Sequence, residues 1–467
     1  MGAARKENET TKTLNAAILS VLLATGPTLL AAKPAAAPTK PADADLPTPT
    51  LRGLGVNANF PAKDAARVVP LLKGMGVDVV RWLPAEWAGV ERQKGEYVIP
   101  PDSQACYEAL SKAGIRVVYL LFRRNPIYAE SKGLDAEAFA RYAAFVAKTF
   151  TPPEVVAYEI WNEPCNFDFP QYGGKRDEWL ARYCEMVREA SAAIRAQQPK
   201  TPILQTLEVQ FWFDALKEHA ADFAQIDGTV CHPYPTGLNP AEVSPWAPPV
   251  TDAEHSMVGY LAQHAQTYPE KYLHRDLSVW VTEYGFDKGS DELKAAYQVR
   301  GLLQGPAAGA KAWCIWPFFV EGNCGLVGRN GDTFELTPSY YALQRTARFL
   351  GPDWRAMPDV QCRLDLESAP EVPLGKNRVK GPQVYWFRAG QDWVTFVWNA
   401  GRYATDKAPV VGELTWFYPP TVARVEAQDV VTGRTVPVNM TYTSGLVTFS
   451  GVPVGANPVA IRWTVAK

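Results

Sequence analysis

The sequence predicts an α/β protein: a (β/α)8 TIM barrel followed by a small all-β, sandwich-like C-terminal domain. Between residues 51 and 351, short apolar segments typical of buried parallel strands alternate with segments of helical periodicity. Eight such pairs over about 300 residues match the number of units and the size of this barrel. From about Pro352 the helical periodicity ends and short β-rich segments replace it. The alternative is an open doubly wound sheet, but no G-x-G-x-x-G motif follows the first predicted strand.

The strands are predicted from short apolar or β-branched runs, and the helices from apolar residues at helical spacing. The predicted strands are Gly53–Phe60, Val77–Trp82, Ile115–Phe122, Val155–Glu163, Pro202–Leu207, Asp227–Tyr234, Leu277–Glu283 and Lys311–Trp316. The predicted helices are Ala62–Met75, Pro101–Ala113, Asp135–Lys148, a long helix through Trp179 and Ile194, Gln210–Phe223, Ala253–Tyr268, Asp291–Leu303 and Pro338–Leu350. We expect Pro70 to kink or break the first helix, because proline removes a backbone hydrogen bond.

The C-terminal domain is predicted from aromatic and β-branched runs. Val384–Phe387 and Trp393–Trp398 flank Arg388–Asp392, which is the pattern of a β-hairpin. The further strand candidates are Val422–Val431, Thr435–Val438, Leu446–Phe449 and Ala460–Val465. This domain is either a carbohydrate-binding module or a structural appendage packed on the barrel.

The N-terminal segment has the layout of a signal peptide. Arg5, Lys6 and Lys12 precede the apolar run Ala16–Ala32. The run is short for a membrane span, and an uncleaved N-terminal anchor is the alternative. We therefore predict an exported protein, secreted or periplasmic, without an integral membrane domain. Its predicted segments are a signal peptide or anchor at 1–32, an Ala/Pro-rich linker at 33–50, the barrel at 51–351 and the all-β accessory domain at 352–467.

The composition narrows the class of partner. The formal net charge is −2 over 467 residues, which argues against nucleic acid or an acidic membrane as the main partner. The chain has 15 Trp, which fits either large cores or a cleft in which sugar rings stack on aromatic side chains. Seven Cys are scattered singly and five His show no metal-ligand spacing, so no metal and no other cofactor is predicted.

Two glutamates end apolar strands. The run from Val155 leads to Asn162-Glu163, and Pro164 stops it. An unpaired buried carboxyl group costs several kcal/mol, so its presence at a strand end indicates function. A second β-rich run, Ser278–Gly285, ends in Glu283. A pair of carboxylates, each at the end of its own strand, provides the catalytic groups that glycoside hydrolysis requires.

The other candidate residues follow from the barrel itself, because the C-terminal strand ends form the active face of a TIM barrel. The candidates are Arg81 at strand 2, Asn162 and Glu163 at strand 4, His232 and Tyr234 at strand 6, Glu283 at strand 7 and Trp316 at strand 8. Glu159 is internal to strand 4, and Glu86, Glu91 and Glu208 lie near strand ends or loops. Any of the last three could line the cleft, but these glutamates are expected to be peripheral or structural.

Side-chain alternation predicts which residues share a face. The predicted sets are Val230, His232 and Tyr234; Val279, Val281 and Glu283; and Ala312, Cys314 and Trp316, with Trp313 facing the outer helices. Adjacent Asn162 and Glu163 cannot both point inward on a regular strand. The chain is therefore expected to turn there.

These strand-end residues resemble clan A of the glycoside hydrolases, the retaining (β/α)8 enzymes, over roughly 51–350. The pattern is most similar to family 5, with Arg81, Asn162-Glu163-Pro164, His232-Pro233-Tyr234, Glu283-Tyr284-Gly285 and Trp316 in that family's order. The sequence departs at strand 3, where the family usually places a His and this chain has Phe122-Arg123. The stretch Arg81–Tyr97 and the β-rich tail also resemble family 39.

The resemblance implies that Glu163 is the general acid/base and Glu283 the nucleophile; the residues alone indicate the pair without assigning the roles. It also implies that Asn162 binds the sugar 2-hydroxyl, that His232 and Tyr234 orient Glu283 or the substrate, and that Arg81 keeps Glu283 ionised. Trp316 is implied as the floor of the sugar subsite, followed by a cis peptide bond. Retention of configuration predicts carboxyl groups about 5–5.5 Å apart.

Several alternatives stay open at this stage. The two glutamates could be structural ion-pair partners of Arg81, and His232, Arg81 and Trp316 could be core or rim residues. The expected partner is a β-linked oligo- or polysaccharide, with sugar identity and endo or exo action undetermined. The alternative functions are a non-catalytic carbohydrate-binding protein on a decayed barrel, and a transglycosylase that uses the same covalent intermediate.

Overall fold

The computed structural model describes residues 40–58, 60–82, 85–166, 168–235, 241–242, 256–367, 382–400, 408–417 and 421–465. The predicted signal peptide or anchor and residues 33–39 of the predicted linker lie outside the described residues. Part of the loop that follows the sixth predicted strand also lies outside them.

Eight parallel strands close into a barrel, which confirms the predicted fold class. The strands are β1 Leu54–Asn57, β2 Val79–Trp82, β3 Arg116–Leu121, β4 Val155–Ile160, β5 Ile203–Gln205, β6 Gly228–Cys231, β7 Ser278–Tyr284 and β8 Trp313–Ile315. Each strand pairs with its neighbours in the sequence, and β8 pairs with β1 to close the ring. The C-terminal ends of all eight strands, five of which were expected to carry site residues, therefore lie at one face.

The helices surround this barrel. They are α1 Ala65–Met75, α2 Pro101–Lys112, α3 Ala136–Thr149, α4 Arg176–Gln197, α5 Val209–His219, α6 Met257–Ala262, α7 Asp291–Ala307 and α8 Pro338–Leu350. A π-helical turn, Gln263–Thr267, and a further helix, Tyr268–Leu273, extend α6. The first helix runs through Pro70 without a break, so that part of the expectation is wrong. None of the described helices combines the length and apolar character needed to cross a membrane.

Short additional elements lie in the loops. They are the helices Trp87–Val90 and Asp168–Tyr172, the 3-10 turns Ala62–Asp64, Ala129–Ser131 and Ala220–Phe223, and the paired strands Glu91–Gln93 with Glu96–Tyr97 and Val327–Asn330 with Thr333–Leu336. The second hairpin follows β8 and is tied to the start of α1, because Arg329 donates to Asp64 at 2.7 Å.

The barrel has an inner and an outer apolar layer. A separate inner cluster contains Val79, Val118, Ala157, Leu204, Val230, Trp280, Ala312 and Cys314. Trp313 belongs to the outer layer and packs against Tyr284 and α7. A Cβ atom at Gly305 of α7 would lie only 2.5 Å from the Trp313 ring, so the close approach of helix and strand requires glycine there. The predicted faces of β6 and β8 are confirmed.

The predicted faces of β7 are wrong. Val279 and Val281 pack in the outer layer, whereas Trp280 belongs to the inner cluster. Along β7 the pairing with β8 shifts: Val281 pairs with Trp313, but Tyr284 pairs with Ile315, so β7 contains one extra residue. This β-bulge interrupts the alternation and lets Thr282 and Glu283 both contact residues at the barrel axis.

Two antiparallel sheets form the C-terminal region. Their strands are β9 Trp354–Ala356, β10 Cys362–Leu366, β11 Pro382–Ala389, β12 Asp392–Asn399, β13 Val410–Phe417, β14 Val422–Asp429, β15 Asn439–Thr443, β16 Leu446–Val454 and β17 Val459–Val465. The five-stranded sheet has the order β9-β11-β12-β17-β14, and the four-stranded sheet β10-β13-β16-β15. The predicted hairpin is confirmed as β11 and β12, joined through Gly390-Gln391.

The side-chain core between these sheets is rich in aromatic rings. Trp386, Trp416, Trp463 and Phe449 are buried and contact one another. Thr435 forms only an isolated β-bridge, so the strand predicted at Thr435–Val438 is wrong. These sheets match a β-sandwich.

Buried polar contacts join the C-terminal sheets to the barrel. Arg345 of α8 donates to the backbone carbonyls of Val430 and Val431 at 3.2 and 2.9 Å, and its guanidinium also pairs with Asp43. Asp43 lies within the segment predicted as a linker, and the carbonyl of Leu46 accepts from Arg348 of α8 at 2.7 Å. The described end of that segment is therefore held against the barrel.

A buried carboxylate connects the loop after β6 to both α7 and β12. Glu242 accepts two hydrogen bonds from Arg300, at 2.7 and 2.5 Å, and one from Trp398 Nε1 at 2.7 Å. Glu242 is 2% and Arg300 0% exposed. Because a buried charge is tolerated only when it is paired, these three residues depend on one another.

We predict that Glu242→Gln lowers the free energy of unfolding by about 3–5 kcal/mol, because it leaves the Arg300 charge buried without its counter-charge. Urea denaturation followed by tryptophan fluorescence measures this change. The control is Trp398→Phe, which removes a single donor and is expected to cost about 1–3 kcal/mol. A Glu242→Gln protein as stable as the wild type would contradict the prediction.

Candidate active site

The predicted carboxylates meet at the C-terminal end of the barrel. One carboxylate oxygen of Glu163, one of Glu283 and one ring nitrogen of His232 lie within 4.8 Å of one another. Arg81 and Tyr234 donate hydrogen bonds to Glu283, and Asn162 accepts one from Arg81. The structure therefore brings together six of the seven predicted residues, and Trp316 lies beside Tyr234, with ring centroids 6.4 Å apart.

Glu283 is held by three donors, two from strands β1 and β2 and one from the loop after β6. Its Oε1 accepts from Arg81 Nη1 at 2.5 Å and from Asn57 Nδ2 at 3.3 Å. Its Oε2 accepts from the Tyr234 hydroxyl at 2.7 Å. Burial and the charge of Glu283 raise the pKa of Tyr234 well above its usual range, so this hydroxyl remains a donor. The carboxylate is thus fixed in position by three donors.

Glu163 has a different environment, dominated by His232. Its Oε1 lies 2.7 Å from His232 Nδ1, and its Oε2 accepts from Asn166 Nδ2 at 3.1 Å. Burial raises the pKa of Glu163, but the hydrogen bond and charge of His232 outweigh burial and lower the pKa to about 2. Burial lowers the pKa of His232, but the charges of Glu283 and Glu163 outweigh burial and raise it. In this geometry His232 carries the proton that the pair shares.

Arg81 lies under this pair and is almost completely buried. It donates from Nε and Nη2 to Glu159, at 2.8 and 2.6 Å, and from Nη2 to Asn162 Oδ1 at 2.6 Å. Burial lowers the pKa of Arg81, but Glu159 and Glu283 outweigh it and raise the pKa. The guanidinium therefore has two carboxylate partners.

Of the two expectations for Glu159, peripheral or structural, the structure supports the structural one. Glu159 is fully buried at the centre of the site, where it binds Arg81 through both oxygens. Its spacing from Ala157 places it on the inward face of β4, which is a signal in the sequence. The pairing with Arg81 of β2 crosses the barrel, so the sequence alone did not reveal it.

The predicted turn at the end of β4 is confirmed. Trp161 and Glu163 have φ values of +68° and +41°, in the left-handed region that non-glycine residues rarely adopt. The Trp161 ring packs outward against Phe122 and Phe169. Because the chain twists here, adjacent Asn162 and Glu163 both reach the barrel axis.

Three further residues contribute to the site. Asn57 and Thr282 were not predicted, and Glu208 was expected to be peripheral or structural. Asn57 ends β1 and binds Glu283, and Thr282 lies in the β7 bulge with its hydroxyl 3.0 Å from His232 Nε2. Glu208 follows β5, where burial and the nearby charge of Glu163 raise its pKa. No motif marks an Asn or a Thr for such a position; only the packing of neighbouring strands identifies them.

The remaining glutamates are structural or exposed, as expected. Glu91 is fully buried and accepts from Trp87 Nε1, the Gly95 backbone and the Tyr128 hydroxyl. Glu86 is exposed and pairs with Arg123 at 3.2 Å. Arg123 stands where family 5 usually has a His, with a φ of +74° and its guanidinium over the Phe122 ring.

Trp316 is half-buried at the end of β8, and the peptide bond to Pro317 is cis, as the resemblance implied.

Two groups among the described residues bring three potential metal ligands within 4.8 Å: Glu163, His232 and Glu283 at the barrel mouth, and Cys184, His219 and Asp222 on the outer helices. In the second group Arg188 holds Asp222 at 3.1 Å. In the first, Arg81 and His232 already neutralise the carboxylates.

This barrel, with glutamates at the ends of β4 and β7, defines a glycoside hydrolase of clan A. The chain belongs to the Cellulase family, glycosyl hydrolase family 5, whose family model matches residues 60–319, more than half of the sequence. No curated protein matches the sequence.

Solved structures support the fold. A family 39 glycoside hydrolase from the gut symbiont Bacteroides cellulosilyticus WH2 has a TM-score of 0.65 at 19% identity, covering 89% of this chain and 81% of its own. The GH39 enzyme from Xanthomonas axonopodis pv. citri has a TM-score of 0.55 at 15% identity, with 91% and 96% covered. A GH30 endoxylanase from Clostridium papyrosolvens C71 has a TM-score of 0.54 at 12% identity, with 90% and 97% covered.

We predict that the pKa of His232 lies above the ordinary histidine value of about 6.5 and falls in Glu283→Gln. The charge of Glu283 is the largest contribution that raises this pKa, and the amide removes it. A pH titration by NMR of histidine-labelled protein measures both values, with the other histidine resonances as internal references. An unchanged pKa for His232 in the variant would contradict this electrostatic coupling.

Proposed function

We propose that this protein is a retaining glycoside hydrolase that cleaves β-linked oligo- or polysaccharides through a covalent intermediate. The observation that carries the proposal is the proximity of Glu163 and Glu283: one carboxylate oxygen of each lies within 4.8 Å of the other. Retaining enzymes hold their carboxyl groups about 5–5.5 Å apart, whereas inverting enzymes need about 6.5–9.5 Å to admit a water molecule.

Glu283 is proposed as the nucleophile. Arg81 and Tyr234 each donate to its carboxylate, which favours the ionised form that attacks the anomeric carbon. Because Arg81 also pairs with Glu159, its charge is divided between two carboxylates. Glu283 therefore keeps more of its nucleophilicity than it would in an exclusive ion pair.

Glu163 is proposed as the general acid/base, acting with His232. In the first step the pair gives its proton, through the Glu163 carboxyl group, to the leaving oxygen. The glycosidic bond breaks, and a bond forms between the anomeric carbon and Glu283. In the second step a water molecule gives a proton to Glu163 and attacks the anomeric carbon, and Glu283 leaves as carboxylate. The 2.7 Å contact lets the proton pass between His232 Nδ1 and Glu163.

Two further residues are proposed to bind the sugar. Asn162 uses its side-chain oxygen to accept from Arg81, so its amide NH2 group is the part offered to the sugar 2-hydroxyl. Trp316 is half-buried beside Tyr234, where its ring can stack on a sugar face. Hydrogen bonds to the 2-hydroxyl strengthen in the transition state of such reactions.

The C-terminal domain, within the predicted boundaries 352–467, is proposed to be a structural appendage. Trp386, Trp416 and Trp463 are buried in its own core, and Trp398 binds Glu242 of the barrel. Among the large apolar side chains that the structure describes there, Tyr442 is the most exposed aromatic.

From the N-terminal sequence pattern alone, we further propose export with or without an uncleaved anchor.

We predict that a 2-deoxy-2-fluoro β-glycoside of the right sugar labels Glu283. The fluorine slows both steps, so an activated leaving group lets the intermediate accumulate. A panel of gluco-, manno-, xylo- and galacto-configured reagents, followed by intact mass and peptide mapping, identifies the sugar and the nucleophile together. An adduct on another residue, or hydrolysis without any adduct and with inversion, would contradict the mechanism.

We predict that Glu163→Ala loses about 10²–10⁴-fold in kcat/KM on substrates with poor leaving groups, the usual contribution of acid–base catalysis. On dinitrophenyl glycosides, whose leaving groups need no acid, the rate of the first step should fall only slightly. Added azide should restore turnover and give the β-glycosyl azide as product. Glu86→Gln, an exposed carboxylate outside the cluster, is the matched control and should keep wild-type rates. Product analysis with a sugar acceptor separates hydrolysis from transglycosylation.

A further inference from the structure

A buried chain of hydrogen bonds runs beneath the two catalytic carboxylates. Glu159 Oε1 accepts from the Thr282 hydroxyl at 3.4 Å. The same hydroxyl lies 3.0 Å from His232 Nε2, and His232 Nδ1 lies 2.7 Å from Glu163 Oε1. Thr282 and Glu159 are fully buried, so water does not compete for these bonds.

The direction of the bonds follows from the number of protons available. Glu159, paired with Arg81 through both oxygens, presents only acceptors. A threonine hydroxyl has a single hydrogen, and here that hydrogen points to Glu159. When this hydrogen is donated to Glu159, the oxygen of Thr282 accepts from His232 across 3.0 Å, which requires a hydrogen on Nε2.

This requirement determines the tautomer of neutral His232. With its hydrogen on Nε2, the imidazole presents a lone pair on Nδ1 toward Glu163. One proton then lies between His232 Nδ1 and Glu163 Oε1, and it is the proton that the leaving oxygen needs. With the opposite tautomer and the same number of protons, the hydrogen on Nδ1 would face the protonated carboxyl group of Glu163, and Nδ1 would have no lone pair to accept the carboxyl proton.

We propose that Thr282 is a positioning residue that, with Glu159, holds His232 in the Nε2–H tautomer and so keeps the shared proton available to Glu163. This inference rests on the proposed function of Glu163 as general acid/base. Thr282 reaches His232 because it lies on the same inward face of β7 as Trp280, and the bulge turns Glu283 toward the barrel axis as well.

Other charged groups around His232 do not replace this role. These groups are Glu159 on β4, Glu163 after β4, Glu283 on β7, Arg81 on β2 and Glu208 after β5. The Tyr234 hydroxyl lies on the loop after β6, which also carries His232. Glu283 Oε2 lies 3.7 Å from Nδ1, on the side of the ring that faces Glu163. The described contact at Nε2 is Thr282.

We predict that Thr282→Val lowers kcat/KM about 10- to 100-fold on β-glycosides with alkyl leaving groups, within the range that acid–base catalysis supplies. On dinitrophenyl glycosides, which need no acid, the loss should be below about threefold. The alkaline limb of the pH profile should move to lower pH, because the valine no longer stabilises the protonated imidazole. Thr282→Ser keeps the hydroxyl and should restore most of the activity and the pH profile.

A spectroscopic measurement tests the same point without turnover. In histidine-labelled wild-type protein at a pH below the titration of the His232–Glu163 pair, the spectrum should show a hydrogen-bonded Nε2–H signal of His232, with His232→Gln used to assign it. In Thr282→Val that signal should shift, and its hydrogen should exchange faster with water. Circular dichroism checks that each variant is folded.

The outcomes separate this inference from the proposed function. If the wild type neither turns over any β-glycoside nor forms an adduct on Glu283, the proposed function fails. If the wild type is active but Thr282→Val loses activity equally on both leaving groups, or matches Thr282→Ser in rate and pH profile, the positioning role fails. A His232 Nε2–H signal with the same shift and exchange rate in Thr282→Val as in the wild type would overturn it directly.

Discussion

The buried guanidinium of Arg81 is the interaction on which the rest of the site depends. Arg81 lies on β2, and it binds Glu159 of β4, Asn162 just after β4, and Glu283 of β7. It therefore joins three strands. An isolated buried charge costs several kcal/mol, and only a full set of partners offsets this penalty. The planar fork of donors also fixes where each partner lies. Arg81 therefore sets the positions of Glu283, the proposed nucleophile, and of Asn162, the proposed ligand of the sugar 2-hydroxyl, together.

Two local irregularities allow the carboxylates to meet. Regular alternation sends every second side chain of a barrel strand toward the helices. At the end of β4 the chain enters left-handed conformations at Trp161 and Glu163, and in β7 a bulge adds one residue. Both departures occur where a carboxylate is delivered to the axis, which is where strained and bulged backbone is commonly found. The neighbours Asn162 and Thr282 are delivered along with them.

The environments of Glu163 and Glu283 differ in the source of their stabilisation. Glu283 is bound by groups whose protons stay in place, the guanidinium of Arg81 and the phenol of Tyr234. Glu163 is bound by an imidazole, which can both give and take a proton near neutral pH. This difference is a physical reason to assign attack to Glu283 and proton transfer to Glu163. It does not depend on the resemblance to other hydrolases.

The sequence by itself determined the barrel, the all-β C-terminal region and the strand-end residues. Apolar strand runs, helical periodicity and polar residues placed at strand ends are local signals, and each follows from the solvation of single segments. Tertiary structure alone decided the central place of Glu159, the inward turn of Thr282, and the contacts of Asn57 with Glu283 and of Trp398 with Glu242. These contacts join residues from different strands or domains. Their formation depends on bulges and packing distances, which no short stretch of sequence encodes.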